Sequence, residues 1–133
     1  MTDRDIPGHL SYTTDHEWID LAPGATPPET PVRIGITSVA VEALGDLVFI
    51  QLPEVGDTIS AGDNFGEIES TKTVSDLIAP VSGEVVEINA AVVEDPAVIG
   101  TDPYGAGWLV RVRVDELGAL LSAAEYSEQS GQD

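Results

Sequence analysis

Lys72 is the first candidate for a residue that takes part in covalent chemistry, because it is the only lysine in the chain. The 133 residues include 24 acidic and five basic side chains, and the net charge is −19. A lysine held in its neutral form can act as a nucleophile or form a Schiff base. Glu69 and Asp76 would instead hold the ammonium form of Lys72. We therefore expect either a substrate for another enzyme or an ordinary solvated lysine, and position alone favours the solvated lysine.

Other catalytic or metal-binding groups are sparse. The two histidines, His9 and His16, lack the spacing of a metal site, and no nucleophile-elbow or phosphate-loop pattern is present. Glu67, Glu69 and Asp76 are typical of a solvated acidic face, since any acidic chain offers carboxylate pairs by chance. We expect no metal and no enzymatic activity.

Composition excludes further classes of protein. There are no cysteines, which removes disulfides and thiol catalysis. Residues 1–10 show no signal-peptide or transit-peptide pattern, so we expect neither, and no apolar run is long enough for a membrane span. The sequence pI of about 4.1 disfavours nucleic acid and membranes. We expect a monomer in the cytoplasm, whose acidity either steers it towards cationic partners or only keeps it soluble; for acidity alone we prefer the second.

The predicted elements place Lys72 at the tip of a hairpin. Strands at 65–70 and 74–79 flank residues 71–73. Thr37 or Ser38 can cap a short helix that ends at Leu44, with Gly45 in the stop position. Further strands are predicted at 10–21, 32–37, 46–52 (of the buried type), 58–60, 84–89 and 108–115. Residues 22–31 form a loop.

The second half of the chain adds a loop and a helix. Residues 90–107 are rich in loop signals, with at most one helical turn. Residues 115–128 place Leu117, Leu120, Leu121 and Ala124 at helical spacing, which predicts an amphipathic C-terminal helix. The segments GEIES (66–70) and GEVVEI (83–88) are weakly similar, and each begins a strand after a turn. We call this similarity the internal echo. Short strands separated by regular turns predict a mostly β sandwich or flattened barrel.

The segment FGEIESTKTVSDLIAPVSGEVVEIN (65–89) closely resembles the lipoyl-attachment segment of the glycine cleavage system H proteins. Four other segments are similar to that family in the same order: SYTTDHEW (11–18), VRIGIT (32–37), EALGDLVFIQLPEVG (42–56) and DPYGAGWLVRVRV (102–114). The resemblance implies a lipoyl/biotinyl-type flattened barrel or a hybrid sandwich of two antiparallel sheets with short helices. It implies one lipoyl-carrier domain over residues 1–133, with an ordered core at about 10–126.

The resemblance also implies a role in glycine catabolism. Lys72 matches the lysine that carries lipoate through an amide, as a lipoyllysine. Family members receive an aminomethyl group from the pyridoxal-phosphate glycine decarboxylase and deliver it to the tetrahydrofolate-dependent aminomethyltransferase. They then present dihydrolipoate to dihydrolipoamide dehydrogenase, and a separate lipoyl-attaching enzyme modifies them. The chain itself would be a non-catalytic carrier.

Three carboxylates match or neighbour positions at which the family shelters the loaded arm. Glu17 and Asp76 match such positions, and Asp15 lies beside them with a weaker match. A carboxylate there would pair with the cationic amine. Plain surface acidity is the alternative for Glu17 and Asp76, and both interpretations stay open.

Other assignments fit the residues less well. Biotin carriers place methionines beside the lysine, where this chain has Thr71 and Thr73. Lipoyl domains of 2-oxo acid dehydrogenases place an aspartate directly before the lysine, within longer chains. An acidic scaffold, or a protein that relays lipoyl groups to other enzymes, remains an alternative. The sequence departs from the family pattern in its longer loop at 22–31 and in the two threonines.

Overall fold

The protein folds into two antiparallel β-sheets with four short helices. The computed structural model describes residues 6–129, so the ends of the predicted 1–133 domain lie outside it. The strands are β1 (Ser11–Tyr12), β2 (Glu17–Ile19), β3 (Val32–Ile36), β4 (Leu47–Gln51), β5 (Thr58–Ile59), β6 (Asn64–Ser70), β7 (Val74–Ile78), β8 (Val81–Ile88) and β9 (Val110–Leu117). The helices are α1 (Ser38–Leu44), α2 (Ala90–Glu94), α3 (Ala97–Thr101) and α4 (Ala123–Gln129).

Strand order separates the two sheets. One sheet has six strands in the order β1-β2-β3-β9-β8-β5, and the other has three in the order β4-β6-β7. The predicted sandwich of two antiparallel sheets is therefore confirmed. The sheets do not close into a barrel, which was the alternative. In residues 6–129, every helix is too short or too polar to cross a bilayer.

The main hydrophobic core lies between the two sheets. Strands β3, β8 and β9 contribute fully buried aliphatic side chains such as Ile34, Val85 and Val112, and β6 and β7 contribute Ile68 and Leu77. Burying side chains of this size provides the main driving force for folding. The hairpin β6–β7 is thus fixed to the rest of the protein by one face.

A second cluster of aromatic side chains anchors the C-terminal helix. The rings of Tyr12 and Tyr126 stack with centroids 4.9 Å apart, and both side chains are fully buried. Trp18 lies over its cross-strand partner Gly35, where a Cβ atom would be 2.6 Å from the indole ring. Glycine at position 35 therefore makes room for the tryptophan.

The helix predicted up to Leu44 forms as expected. Thr37 is its N-cap and accepts a hydrogen bond from the Ala40 amide at 3.2 Å. Gly45 follows the last turn with φ at +86°, a conformation that favours glycine.

Three predicted elements besides the C-terminal helix are wrong in their details. Strand β4 is not of the buried type, because Val48 and Phe49 are 49% and 52% exposed. Residues 90–107 contain two short helices, α2 and α3, instead of at most one turn. The single strand predicted over 10–21 is divided into β1 and β2 by a turn in which His16 adopts φ of +65°.

The C-terminal helix begins at Ala123, later than its hydrophobic spacing indicates. Leu117 pairs with Val81 at the end of the β8–β9 ladder, so residues up to 117 are extended. Gly118 follows, where a Cβ would lie 2.6 Å from the Pro80 carbonyl oxygen. Sheet pairing therefore overrides the helical periodicity over 115–121.

The internal echo has a local structural basis. Gly66 and Gly83, which open the two similar segments, each adjoin a shift in strand register. A Cβ on Gly66 would collide with the Gln51 carbonyl oxygen, and one on Gly83 with that of Arg113. Both glycines thus permit a close backbone approach beside a β-bulge.

We expect Gly83→Ala to destabilise the protein by about 1–3 kcal/mol, because its methyl group must displace the neighbouring strand. Gly100→Ala is the matched control, since its Cβ would lie 3.7 Å from Val41 in ordinary contact and would favour helix α3. Urea unfolding followed by circular dichroism measures both. A Gly83→Ala variant as stable as Gly100→Ala would contradict the close approach.

Candidate functional site

Lys72 is exposed in the turn between β6 and β7, and Ser70 organises that turn. The buried Ser70 Oγ accepts hydrogen bonds from the amides of Lys72 and Thr73, both at 3.2 Å. The Ser70 amide donates to the Thr73 carbonyl at 2.8 Å, and the Thr71 amide donates to the Asp46 carbonyl at 3.0 Å. The backbone of the turn is therefore fixed while the lysine side chain is free to extend.

The end of α1 borders the lysine stem. A Cβ placed on Gly45 would lie 3.5 Å from Lys72 Cε, so the stem passes close to the helix terminus. An open groove of about 430 Å³ begins there, lined by Val41, Gly45, Leu47 and Gly100 among others. The space next to the lysine is thus bounded by small and aliphatic residues together with the polar residues Asp46 and Thr101.

Glu17 is a buried carboxyl that connects the two sheets. It lies on β2 with only 1% of its surface exposed. Its Oε2 accepts a 2.6 Å hydrogen bond from the Ile78 amide on β7, and Thr13 Oγ1 donates to its Oε1 at 3.4 Å. Since β7 is an edge strand of the three-stranded sheet, this carboxyl binds the hairpin that carries Lys72 to the six-stranded sheet.

Burial raises the pKa of Glu17 to about 8. The hydrogen bonds from Ile78 and Thr13 act in the opposite direction, and the charge of Asp15 adds to the increase. The carboxyl is therefore mostly protonated at neutral pH. Glu17 is not a plain surface acid, and a cation that came close to it would favour its ionised form.

Asp15 and Asp76 are both exposed, one in the β1–β2 turn and the other on β7. Asp15 is exposed in the β1–β2 turn, where its amide donates to Thr13 Oγ1 at 3.2 Å. Asp76 is exposed on β7, two residues before the amide that binds Glu17. The structure thus brings Asp15 and Glu17 together beside β7, and it places Asp76 on β7, two residues from the amide that Glu17 binds.

His16 has a structural environment. Its Nδ1 lies 2.6 Å from the Tyr126 hydroxyl, which in turn lies 2.8 Å from Thr37 Oγ1. Burial lowers the pKa of His16, and the charge of Asp15 partly opposes this. His16 therefore joins α4 to the start of α1.

His9 is exposed near the start of the described chain. Residues 6–129 contain no cluster of three or more histidine, aspartate or glutamate side chains that could hold a metal ion.

Sequence reasoning overlooked Ser70 as a positioning residue. Its signal was present, because a serine at the end of a strand commonly binds amides two and three residues later. The buried state of Glu17 left no such local signal, because its partner Ile78 is 61 residues away.

Comparisons with known proteins agree on one family. Residues 10–132 match the family model for the glycine cleavage H-protein. The glycine cleavage system H protein of Corynebacterium aurimucosum is 50% identical over 129 residues, covering 97% of this chain and 98% of that protein. The H protein of Mycobacterium leprae is 53% identical over 119 residues, covering 90% and 86%. The crystal structure of a glycine cleavage system H protein from Mycobacterium marinum matches with a TM-score of 0.94 and 70% identity, covering 95% and 99%.

The raised pKa of Glu17 predicts a pH-dependent stability. Between the ordinary value of 4.5 and about 8, the folded protein keeps a proton that the unfolded chain has released. Stability should therefore fall as pH rises through this window, by on the order of a few kcal/mol, and then level off. Glu17→Gln should remove that part of the fall, as measured by urea unfolding at pH 5, 6.5 and 8.

Glu94→Gln is the control for Glu17→Gln, because it removes an exposed carboxyl from α2. It should retain the pH dependence of the unchanged protein. If Glu17→Gln and the unchanged protein lose stability in parallel, Glu17 titrates normally and the buried neutral carboxyl is refuted.

Proposed function

The chain belongs to the glycine cleavage H-protein family, and we propose on that basis that it is a lipoyl carrier with lipoate joined to Lys72 by an amide. The observation that carries the proposal is the position of the sole lysine at the exposed tip of a hairpin. Ser70 fixes the backbone of that tip, so an attaching enzyme meets the lysine at a defined place on the surface while its amine stays free to extend. The residues present therefore fit the cofactor.

The proposed cycle uses the carrier with three enzymes. The chain accepts the aminomethyl group of glycine at a pyridoxal-phosphate glycine decarboxylase and delivers it to a tetrahydrofolate-dependent aminomethyltransferase. It then presents dihydrolipoate to dihydrolipoamide dehydrogenase. Lipoate would supply the disulfide that makes this exchange possible, and the chain itself would catalyse no step.

The long side chain of Lys72 extends the cofactor away from the protein surface. Its stem, held at the end of a fixed turn, tethers the cofactor so that its effective concentration at a docked active site is high. Amide formation removes one positive charge, which takes the net charge from −19 to −20. The modified tip is then neutral, which lowers the cost of transferring it into an enzyme pocket.

Asp15 and Asp76 are proposed to shelter the loaded arm. Both are exposed, so either carboxylate can pair with a cationic amine. Glu17 is proposed to contribute mainly by positioning β7 through the Ile78 amide. A cation close to Glu17 would also draw it towards its ionised form.

The proposed unit is a single carrier domain over residues 1–133, with its core at about 10–126, acting as a monomer. We place this cycle in the cytoplasm, since a chain without cysteines is compatible with a reducing compartment.

Lipoyl attachment at Lys72 is tested by intact mass. Expression with lipoate and a lipoyl-attaching enzyme should add one lipoyl group to the chain, because Lys72 is the only side-chain amine. Lys72→Arg keeps the positive charge and should show no added mass. An unmodified chain, under conditions that modify another lipoyl carrier, would contradict the cofactor assignment.

The glycine cleavage role is tested by reconstitution. The lipoylated chain with the three enzymes should release labelled carbon dioxide from carboxyl-labelled glycine, and Lys72→Arg should release none. If the fully lipoylated chain is inactive with enzymes that function with another H protein, the role in glycine cleavage fails. Lipoyl relay to other enzymes would then be the better assignment.

A further inference from the structure

The large apolar side chains that remain exposed are concentrated near Lys72. Within residues 6–129 they are Val48, Phe49, Val55, Val74 and Val93, between 48% and 60% exposed. Three of the five, Val48, Phe49 and Val74, lie on the three-stranded sheet close to the hairpin tip. Exposed apolar groups gathered in one place commonly mark an interaction surface.

Strand register aligns Phe49 and Val74 on one face. Phe49 is directly opposite Glu69, and Glu69 is directly opposite Val74, so the three form a row across β4, β6 and β7. Directly opposed side chains have Cβ atoms about 5 Å apart. We call the exposed surface made by Phe49, Glu67, Glu69, Val74 and Asp76 the tip face.

Among residues 6–129, the carboxylates of the tip face have no cationic partner. Glu67 is directly opposite Asp76, an arrangement of like charges that destabilises a sheet. The ion pairs of Arg111 with Glu87 and of Arg113 with Glu84 are on the six-stranded sheet. In the part of the chain that the structure describes, no cation contacts Glu67, Glu69 or Asp76.

We propose that the tip face is the docking surface for the glycine decarboxylase of the proposed cycle. The occupant is a protein whose active-site mouth presents apolar side chains inside a rim of arginine and lysine. Apolar contacts surrounded by charged groups are typical of such interfaces. The proposal rests on the proposed function, because only an enzyme acting at Lys72 must approach this corner of the sheet.

Binding of the unmodified chain to glycine decarboxylase tests the proposal by calorimetry. Phe49→Ser and Val74→Ser should each raise Kd, by about tenfold for the phenylalanine and severalfold for the valine. Val55→Ser and Val93→Ser are matched controls, since these valines are equally exposed but lie elsewhere. The controls should change Kd by less than twofold, and equal effects in both groups would overturn the proposal.

A charge reversal separates docking from folding. Glu67→Lys should raise the Tm, because it removes the repulsion with Asp76, yet it should weaken binding to the decarboxylase. Glu54→Lys is its control, with an exposed side chain outside the tip face. Binding that weakens equally in both variants reflects net charge alone and would overturn the proposal.

The two proposals fail separately. The binding comparison uses unmodified chains, so it decides the docking surface whether or not lipoate is attached. A chain that gains the lipoyl mass but does not bind the decarboxylase overturns the docking proposal alone. A chain that binds through the tip face but gains no lipoyl mass defeats the cofactor assignment alone.

Discussion

The hydrogen bond between the Glu17 carboxyl and the Ile78 amide is the constraint on which the functional geometry depends. The two sheets share a hydrophobic core, but apolar contacts alone fix the relative position of two surfaces poorly, because they have little directionality. A partly buried hydrogen bond of 2.6 Å is directional, and it is costly to break without replacement. It also occupies an amide on the edge strand β7, which would otherwise be open to another strand.

This constraint explains how an exposed lysine can be well positioned. Lys72 itself makes few contacts, whereas the turn beneath it is fixed by Ser70 and the hairpin is fixed by Glu17 and the core. Rigidity therefore ends at the backbone of the turn, and the mobility that a carrier needs begins at the side chain. The neighbouring tip face belongs to the rigid part, so a partner could bind it without restricting the arm.

Local patterns predicted much of this arrangement. The hairpin around residues 71–73, the cap at Thr37 and the stop at Gly45 follow from turn and capping chemistry within a few residues. The C-terminal helix was placed too early, because the pairing of Leu117 with Val81 depends on a strand far away in sequence. The buried state of Glu17 and the exposure of Phe49 have the same cause. Each depends on which face of a sheet meets the core, and single-strand periodicity does not decide that.

The single lysine has a consequence for the fidelity of the proposed lipoylation. A modifying enzyme usually has to discriminate among many chemically identical amines on the same substrate. Here no competing side-chain amine exists, so misplaced acylation at another lysine is ruled out by composition. The modifying enzyme then needs only to distinguish this protein from other proteins, because the chain offers a single lysine to modify.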